Sequence, residues 1–101
     1  MNKHMLRQAQ ELQAKLAKVQ KDLETLTVEA SAGGGAVKVV MTGHQKLKSV
    51  KIAPEAVDPK EVEMLEEMVL AAINEALDKS RDEAGRQMSS ITGGLKIPGL
   101  T

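Results

Sequence analysis

Residues 27–53 read TVEASAGGGAVKVVMTGHQKLKSVKIA and decide the fold, because three short segments rich in β-branched residues follow one another there. The segments span residues 27–31, 37–42 and 47–53. Gly33-Gly34-Gly35 and Gly43-His44-Gln45 separate them and are typical of turns. Apolar and polar residues alternate within the second and third segments, with Val37, Val39, Met41, Val50 and Ile52 on one face. The stretch therefore predicts a three-stranded antiparallel meander with one buried face and one partly wet face.

A helix is predicted before this meander. Its apolar residues follow a three-four heptad rhythm at Met5, Ala9, Leu12, Leu16, Val19, Leu23 and Leu26. Such a narrow apolar seam favours pairing with a second helix. The opposite face carries Lys3, Arg7, Lys18 and Lys21, with Glu11 as the intervening acid. The segment therefore predicts a paired helix whose outward face attracts anions.

A second helix is predicted after the meander. Asp58 is a good N-cap residue, Pro59 suits the first helical position, and Glu61 completes an approximate capping box. Residues 68–73 are apolar on nearly every side, which favours simultaneous contact with the sheet and with a second subunit. The predicted dimer interface combines both helices and comprises Leu12, Leu16, Val19, Met68, Val69, Leu70 and Ile73. Residues from about 89 to 101 are predicted to form a mobile tail.

The order of these segments predicts an α+β protomer, α-β-β-β-α, in a single domain spanning residues 1–101. The chain has no Phe, Tyr or Trp, so its core uses smaller side chains and association would add stability. The absence of cysteine excludes disulfides, zinc-thiolate sites and thiol nucleophiles. No apolar run approaches the roughly 20 residues of a membrane span. We therefore expect a soluble, cytoplasmic protein without membrane contact.

The net charge of zero conceals an uneven charge distribution. Residues 1–53 contain nine bases and four acids, whereas residues 54–84 contain three bases and ten acids. A molecule with two regions of opposite charge can attract a polyanion with one region while the other limits the engagement.

Four phrases together resemble one known family. They are RQAQELQAKLAKVQKDLE (7–24), GGGAVKVVMTGHQKLKSVKIAPEAVDP (33–59), EVEMLEEMVLAAINEAL (61–77) and ITGGLKIPGL (91–100). In this order they are similar to the YbaB/EbfC family of bacterial nucleoid-associated proteins. The resemblance implies an intertwined homodimer with projecting helical arms and DNA binding with little sequence preference. The chain departs from the family in lacking a Gly-rich leader before Lys3 and in having Ala53 where an Asp usually precedes the proline.

The residues favour DNA binding through electrostatic contacts between basic side chains and phosphates. Stacking on splayed bases would require aromatic side chains, and no helix-turn-helix, zinc-finger or basic-zipper pattern is visible. The predicted DNA-binding residues are Lys3, Arg7, Lys15, Lys18, Lys21 and Arg86, with Lys96 as an auxiliary. The alternative is that the helical lysines only solvate the outer face. Lys38, Lys46, Lys48 and Lys51 have two interpretations: edge-strand charges that discourage sheet aggregation, or a phosphate site. The edge-strand interpretation is preferred.

Three classes of function are compared. The favoured one is a dimeric protein that binds double-stranded DNA and affects nucleoid organisation and gene expression. The alternative is a prefoldin-like or other protein-interaction module with no DNA role. An enzyme is not expected, because no nucleophile, metal site or paired acid and base can be assembled. His4 and His44 are far apart in the sequence, which argues against a metal site. The triple glycine lacks the following Lys and Ser or Thr of a phosphate loop. No cofactor, metal or small-molecule substrate is therefore expected.

Overall fold

The computed structural model describes residues 2–92 and places two helices around a three-stranded sheet. The elements are α1 (Lys3–Thr25), β1 (Thr27–Ala32), β2 (Val37–Thr42), β3 (Leu47–Ile52) and α2 (Val62–Thr92). Short 3-10 turns occupy Gly33–Gly35 and Pro54–Ala56. The predicted α-β-β-β-α protomer and α+β class are confirmed. Residues 89–92 of the predicted tail belong to the end of α2, and residues 93–101 lie outside the described residues.

The sheet has the order β1-β2-β3 with both pairs antiparallel, so β2 is its central strand. Val37 is opposite Ile52 and Val39 is opposite Val50, which places these four side chains on the same face. Ser49 pairs with Val40 and Leu47 with Met41, so Lys48 is an extra residue that forms a β-bulge in β3. The predicted buried face is confirmed for β2, where Val37, Val39 and Met41 are buried. In β3, Val50 and Ile52 lie on the same face but are exposed, so there the prediction of burial is wrong for the single chain.

Helix α2 covers the apolar face of β1 and β2. Ala72 and Ala76 are fully buried there, because their small side chains allow α2 to approach the strands closely. They form one core with residues of the two covered strands, namely Ala30, Val37, Val39 and Met41. Ser80 is also buried, and its hydroxyl donates a 2.7 Å hydrogen bond to the backbone oxygen of Thr42. The apolar side chains of β3 lie outside this cover and remain substantially exposed.

The two long helices begin in different ways. The Asn2 side chain accepts a 2.8 Å hydrogen bond from the backbone N–H of Met5 and caps α1. The prediction that Asp58 caps α2 is wrong, because α2 begins at Val62. Asp58 accepts a hydrogen bond from the backbone N–H of Lys60 through its side chain, and another from that of Glu61 through its carbonyl oxygen, both 2.9 Å long. Asp58 thus organises a separate turn before the helix, which is a common role of this residue type.

Helix α1 is anchored at its C-terminal end. Val19 and Leu23 are buried, and α1 packs against α2 and the end of β2. The backbone N–H of Gly43 donates a 3.0 Å hydrogen bond to the carbonyl of Leu26, and His44 Nε2 donates a 2.8 Å hydrogen bond to the carbonyl of Gln20. Residues 2–10 are all exposed, and the molecule extends 69 Å along its longest axis. This elongated shape fits the projecting helical arm of the prediction.

Gly43→Ala is expected to destabilise the protein by about 1–3 kcal/mol because it would overpack this anchor. An added Cβ would lie 2.7 Å from Leu23 Cδ2 and 2.9 Å from the Leu23 backbone oxygen. Gly85→Ala is the matched control, since nothing lies within 4 Å of a Cβ added there. It should stabilise α2 by about 0.5–1 kcal/mol through helix propensity. Urea unfolding followed by circular dichroism measures both changes, and equal effects would contradict the close approach of Gly43 to α1.

Candidate nucleic-acid interface

The outward face of α1 is the most coherent basic surface of the described chain. Five of the six predicted DNA-binding residues lie on this helix, and all are exposed: Lys3, Arg7, Lys15, Lys18 and Lys21. None of them forms an ion pair within residues 2–92. At about 1.5 Å per residue, Lys3 and Lys21 lie about 27 Å apart along the helix axis. The surface is therefore a long line of positive charges that are free to bind an external anion.

The packing of α1 determines where this line of charges points. Val19 and Leu23 are the buried side chains of the helix, and they belong to the seam that the heptad pattern predicts. In an α-helix, residues three and four positions apart share a face, so the seam lies opposite Lys18 and Lys21. Burial of the seam against the protein's own core therefore directs the basic face to solvent. Lys15 lies nearer to the apolar seam than the other four bases do.

Arg86 is placed in a different environment. It lies on α2, and its Nη1 is 2.7 Å from Glu83 Oε2. The partner carboxylate offsets its charge, and α2 as a whole carries seven acids and three bases. An ion pair of this kind must be opened before Arg86 can contact a phosphate. Arg86 thus differs from the unpaired bases of α1, and its role in DNA binding stays a prediction.

The predicted interface residues divide into two groups. On α1, Val19 has only 6% of its surface exposed in the single chain, and Leu12 and Leu16 are half-buried. On α2, Met68, Val69 and Ile73 are half-buried, whereas Leu70 is 62% exposed. The single chain thus already covers Val19. It leaves the apolar belt of α2, residues 68–73, partly open to solvent. The assignment of these residues to a dimer interface stays a prediction.

The open belt on α2 continues into an apolar groove that reaches β3. The groove is lined by Ile52, Val62, Leu65, Val69, Leu70 and Ile73, with Glu66 at its rim. Ile52, Val62 and Leu65 were not among the predicted interface residues. The signal that identifies Ile52 is the alternation along β3, which places Ile52 and Val50 on the face that α2 covers at the neighbouring strand. The exposed apolar side chains of this groove make it a candidate interaction surface.

The described part of the chain contains neither a candidate metal site nor a membrane-spanning helix. No group of three or more His, Cys, Asp and Glu side chains within it is arranged to hold a metal ion. None of its helices combines the length and the apolar character needed to cross a lipid bilayer. Glu63, Glu66 and Glu67 lie together near the start of α2, where the helix dipole favours negative charge.

Comparison with known proteins identifies the family. Residues 1–95 match the YbaB/EbfC DNA-binding family. The chain belongs to this family. A nucleoid-associated protein of Pelotomaculum thermopropionicum is 51% identical over 96 residues, covering 95% of this chain and 91% of its own. A nucleoid-associated protein of Moorella thermoacetica is 52% identical over 100 residues, covering 99% of this chain and 95% of its own.

A solved structure with the same fold supports the architecture of this YbaB/EbfC family member. It is the crystal structure of an uncharacterized protein from Helicobacter pylori. The TM-score is 0.78, and the match covers 92% of this chain and 99% of the other. The two sequences share only 15% identity, so this likeness concerns the fold alone.

Proposed function

We propose that this protein is a homodimeric nucleoid-associated protein that binds double-stranded DNA mainly through phosphate contacts, with little sequence preference. The observation that carries the proposal is the set of five exposed, unpaired bases on α1, four of them along its outward face, in a member of a DNA-binding family. Relatives that are about half identical to the chain are named nucleoid-associated proteins. The nucleoid is accordingly the proposed place of action, with effects on nucleoid organisation and gene expression.

The chemistry of α1 suits the DNA backbone better than the base edges. Four of its five bases are lysines, which act on phosphates as compact point charges. The line of about 27 Å spans roughly eight phosphate spacings of a single strand, at about 3.4 Å each. Contacts of this kind hold and position DNA without carrying sequence information. The chain also lacks the aromatic residues that stack on exposed bases, which favours an intact duplex as the ligand.

A second copy of the chain is the proposed occupant of the apolar groove. Leu70 and Val62 are 62% and 51% exposed there, and Ile52 of β3 is 38% exposed. Covering them would remove a contiguous apolar surface from water, at about 25 cal/mol for each Å² buried. In an isologous dimer both subunits use the same surface, so the groove of each protomer would contact the apolar belt, residues 68–73, of the other.

The opposite edge of the sheet is less suited to a partner. Lys79 Nζ donates a 2.9 Å hydrogen bond to the backbone oxygen of Glu29 on β1, and it lies 3.4 Å from Glu75 Oε1. A lysine in this position occupies a carbonyl group of the edge strand and discourages pairing with another strand. The β3 side, where the apolar groove lies, is therefore the favoured side for association. The dimer would carry two copies of the α1 surface at a fixed separation.

The salt dependence of binding provides the direct test of phosphate contacts. A dimer that engages about four to eight phosphates should show a log-log salt slope of about −4 to −7, at about −0.9 per contact. The measurement is fluorescence anisotropy of a labelled duplex titrated with protein at several salt concentrations. Two unrelated duplexes of equal length should differ in affinity by less than about tenfold, since specific sites usually gain at least about 10³-fold.

Other outcomes of this titration point to other functions. Affinity no better than that of an uncharged control protein would refute the DNA-binding proposal. Since α1 and α2 pack together in one chain, a folded protein without DNA affinity would then favour the prefoldin-like or other protein-interaction module. A large and salt-resistant preference for one duplex would instead indicate a sequence-specific regulator.

A further inference from the structure

Two lysines lie directly opposite each other on the polar face of the sheet. Lys38 of β2 pairs with Lys51 of β3 in the antiparallel register, and both side chains are exposed. Side chains in directly opposite positions have Cβ atoms about 4.5–5.5 Å apart. Ser31 of β1 pairs with Lys38 from the other side, so one row across the sheet reads Ser, Lys, Lys. This row faces away from α2 and from the apolar groove.

The stability of the sheet does not explain why Lys38 and Lys51 lie opposite each other. Like charges in directly opposite positions destabilise a sheet. Protection of an edge accounts for a lysine on β3, but β2 is the central strand, so the interpretation of Lys38 as an edge charge is wrong. Neither ammonium group has an ion-pair partner within residues 2–92. Ser31 and Lys38 line a shallow depression together with Glu29 of β1 and with Glu75 and Lys79 of α2. Glu75 pairs with Lys79, and neither Glu29 nor Glu75 forms an ion pair with Lys38.

The neighbouring glycine turn helps to define the position of Lys38. A Cβ added at Gly35 would lie 3.6 Å from Lys38 Cε, so the lysine stem lies against the backbone of this turn. The backbone φ of Gly35 is +95°, which residues with a side chain rarely adopt. A glycine here therefore leaves room beside the stem of Lys38. The stem of Lys38 thus extends towards this turn, at the end of the sheet where Ser31 and Lys51 also lie.

Further bases connect this row with the basic face of α1. The hydrogen bond from His44 to Gln20 joins the β2–β3 turn to α1 immediately beside Lys21. Lys46 follows this turn and Lys48 forms the bulge in β3, after which the strand leads to Lys51. At about 3.3 Å per residue, Lys46 and Lys51 lie about 17 Å apart along the strand. A series of lysines thus extends from the α1 surface to the polar face of the sheet, namely Lys21, Lys46, Lys48 and Lys51.

We infer that Lys38 and Lys51 form a second binding site for DNA backbone phosphate, on the polar face of the sheet. This inference rests on the proposed function and extends it from the arm to the body of the protein. An anionic phosphate oxygen between the two ammonium groups would relieve their mutual repulsion and accept a hydrogen bond from each. The Ser31 hydroxyl provides a neutral donor beside them. The site stays open in the proposed dimer, because the apolar groove lies on the other face.

The test removes positive charge at three places on the protein. DNA binding of each variant is measured by fluorescence anisotropy on two unrelated duplexes. Lys38→Gln/Lys51→Gln removes four charges per dimer, and the salt slope should become shallower by about 2–4, at about 0.9 per lost contact. Near 0.1 M salt, affinity should fall about 100-fold or more on both duplexes, while the melting temperature should stay equal or rise because the like-charge pair is gone. Lys18→Gln/Lys21→Gln makes the same charge change on α1, and Lys60→Gln removes one exposed charge in the turn before α2.

The outcomes separate this inference from the proposed function. An unchanged slope for Lys38→Gln/Lys51→Gln, with a shallower slope for Lys18→Gln/Lys21→Gln, would overturn the sheet site and leave the α1 surface in place. A wild-type protein without DNA affinity would overturn both. Lys38→Arg/Lys51→Arg keeps the charges and should retain most of the affinity. If this variant binds as weakly as the Gln variant and both melt at lower temperature, the two lysines are structural and the inference is refuted.

Discussion

Leu70→Asp should convert the protein from a dimer to a monomer. Leu70 is 62% exposed in the single chain, and it lines the apolar groove that we assign to a second copy. An unpaired carboxylate buried at such a contact costs several kcal/mol, and every loss of about 1.4 kcal/mol raises the dissociation constant of the dimer tenfold. Analytical ultracentrifugation should give about twice the chain mass of 10.8 kDa for the wild type and the chain mass for the variant. Interference optics are needed because the chain has no Trp or Tyr.

Met64→Asp is the matched control for this experiment. Met64 lies on the same helix and is 56% exposed, but it is not among the residues that line the groove. The variant should remain a dimer, because its carboxylate stays in water. A monomeric wild type, or a Leu70→Asp variant that stays dimeric, would contradict the proposed interface. If Leu70→Asp unfolds, the melting temperature of the wild type provides the test, since that of a dimer rises with protein concentration.

The strands were predictable because their signals are local. Gly33–Gly35 and Gly43 interrupt segments whose alternation has a period of two, so each strand was predicted to within a residue or two of its observed ends. The heptad of α1 was equally informative, because Val19 and Leu23 are indeed the buried residues of that helix. In both cases the side chains that define the pattern are also the side chains that pack.

The partner of an apolar surface was harder to predict. A heptad seam indicates that a helix is needed beside it, but it does not distinguish a helix of the same chain from a helix of another subunit. Val19 is buried within the single chain, where α1 contacts α2. Likewise, the spacing of Asp58, Pro59 and Glu61 fits both a helix N-terminus and a turn, and the turn is what forms. Local sequence contains no information that separates these alternatives.

The candidate site was predictable only in part for the same reason. The exposure of the α1 bases follows from the position of the seam. The ion pair between Arg86 and Glu83 depends on side-chain conformation, although the spacing of three residues on a helix permits it. The pairing of Lys38 with Lys51 depends on strand order and register, because only the assembled sheet shows that β2 is central. Sequence patterns thus predict faces of single elements better than they predict contacts between elements.

Lys18→Glu/Lys21→Glu should weaken DNA binding more than any other surface change considered above. In a dimer the double variant removes four positive charges from the proposed contact surface and adds four negative ones. Four lost contacts alone reduce the slope by about 3.6, which corresponds to at least about a hundredfold loss of affinity near 0.1 M salt. Both side chains are exposed and unpaired, so the free energy of unfolding should change by less than about 0.5 kcal/mol.

Anisotropy on unrelated duplexes measures the effect, with circular dichroism as the check on folding. Lys60→Glu is the control for the single variants Lys18→Glu and Lys21→Glu, because it reverses one exposed charge outside α1. Its effect should be small, whereas each α1 variant should lose about tenfold on every duplex. A loss confined to one duplex would instead mean that α1 enters a major groove, where Arg7 and Gln10 have the functional groups to read base edges. In that case selection from random duplexes should return a sharp motif that Arg7→Ala and Gln10→Ala abolish, and phosphate contact would no longer explain the binding.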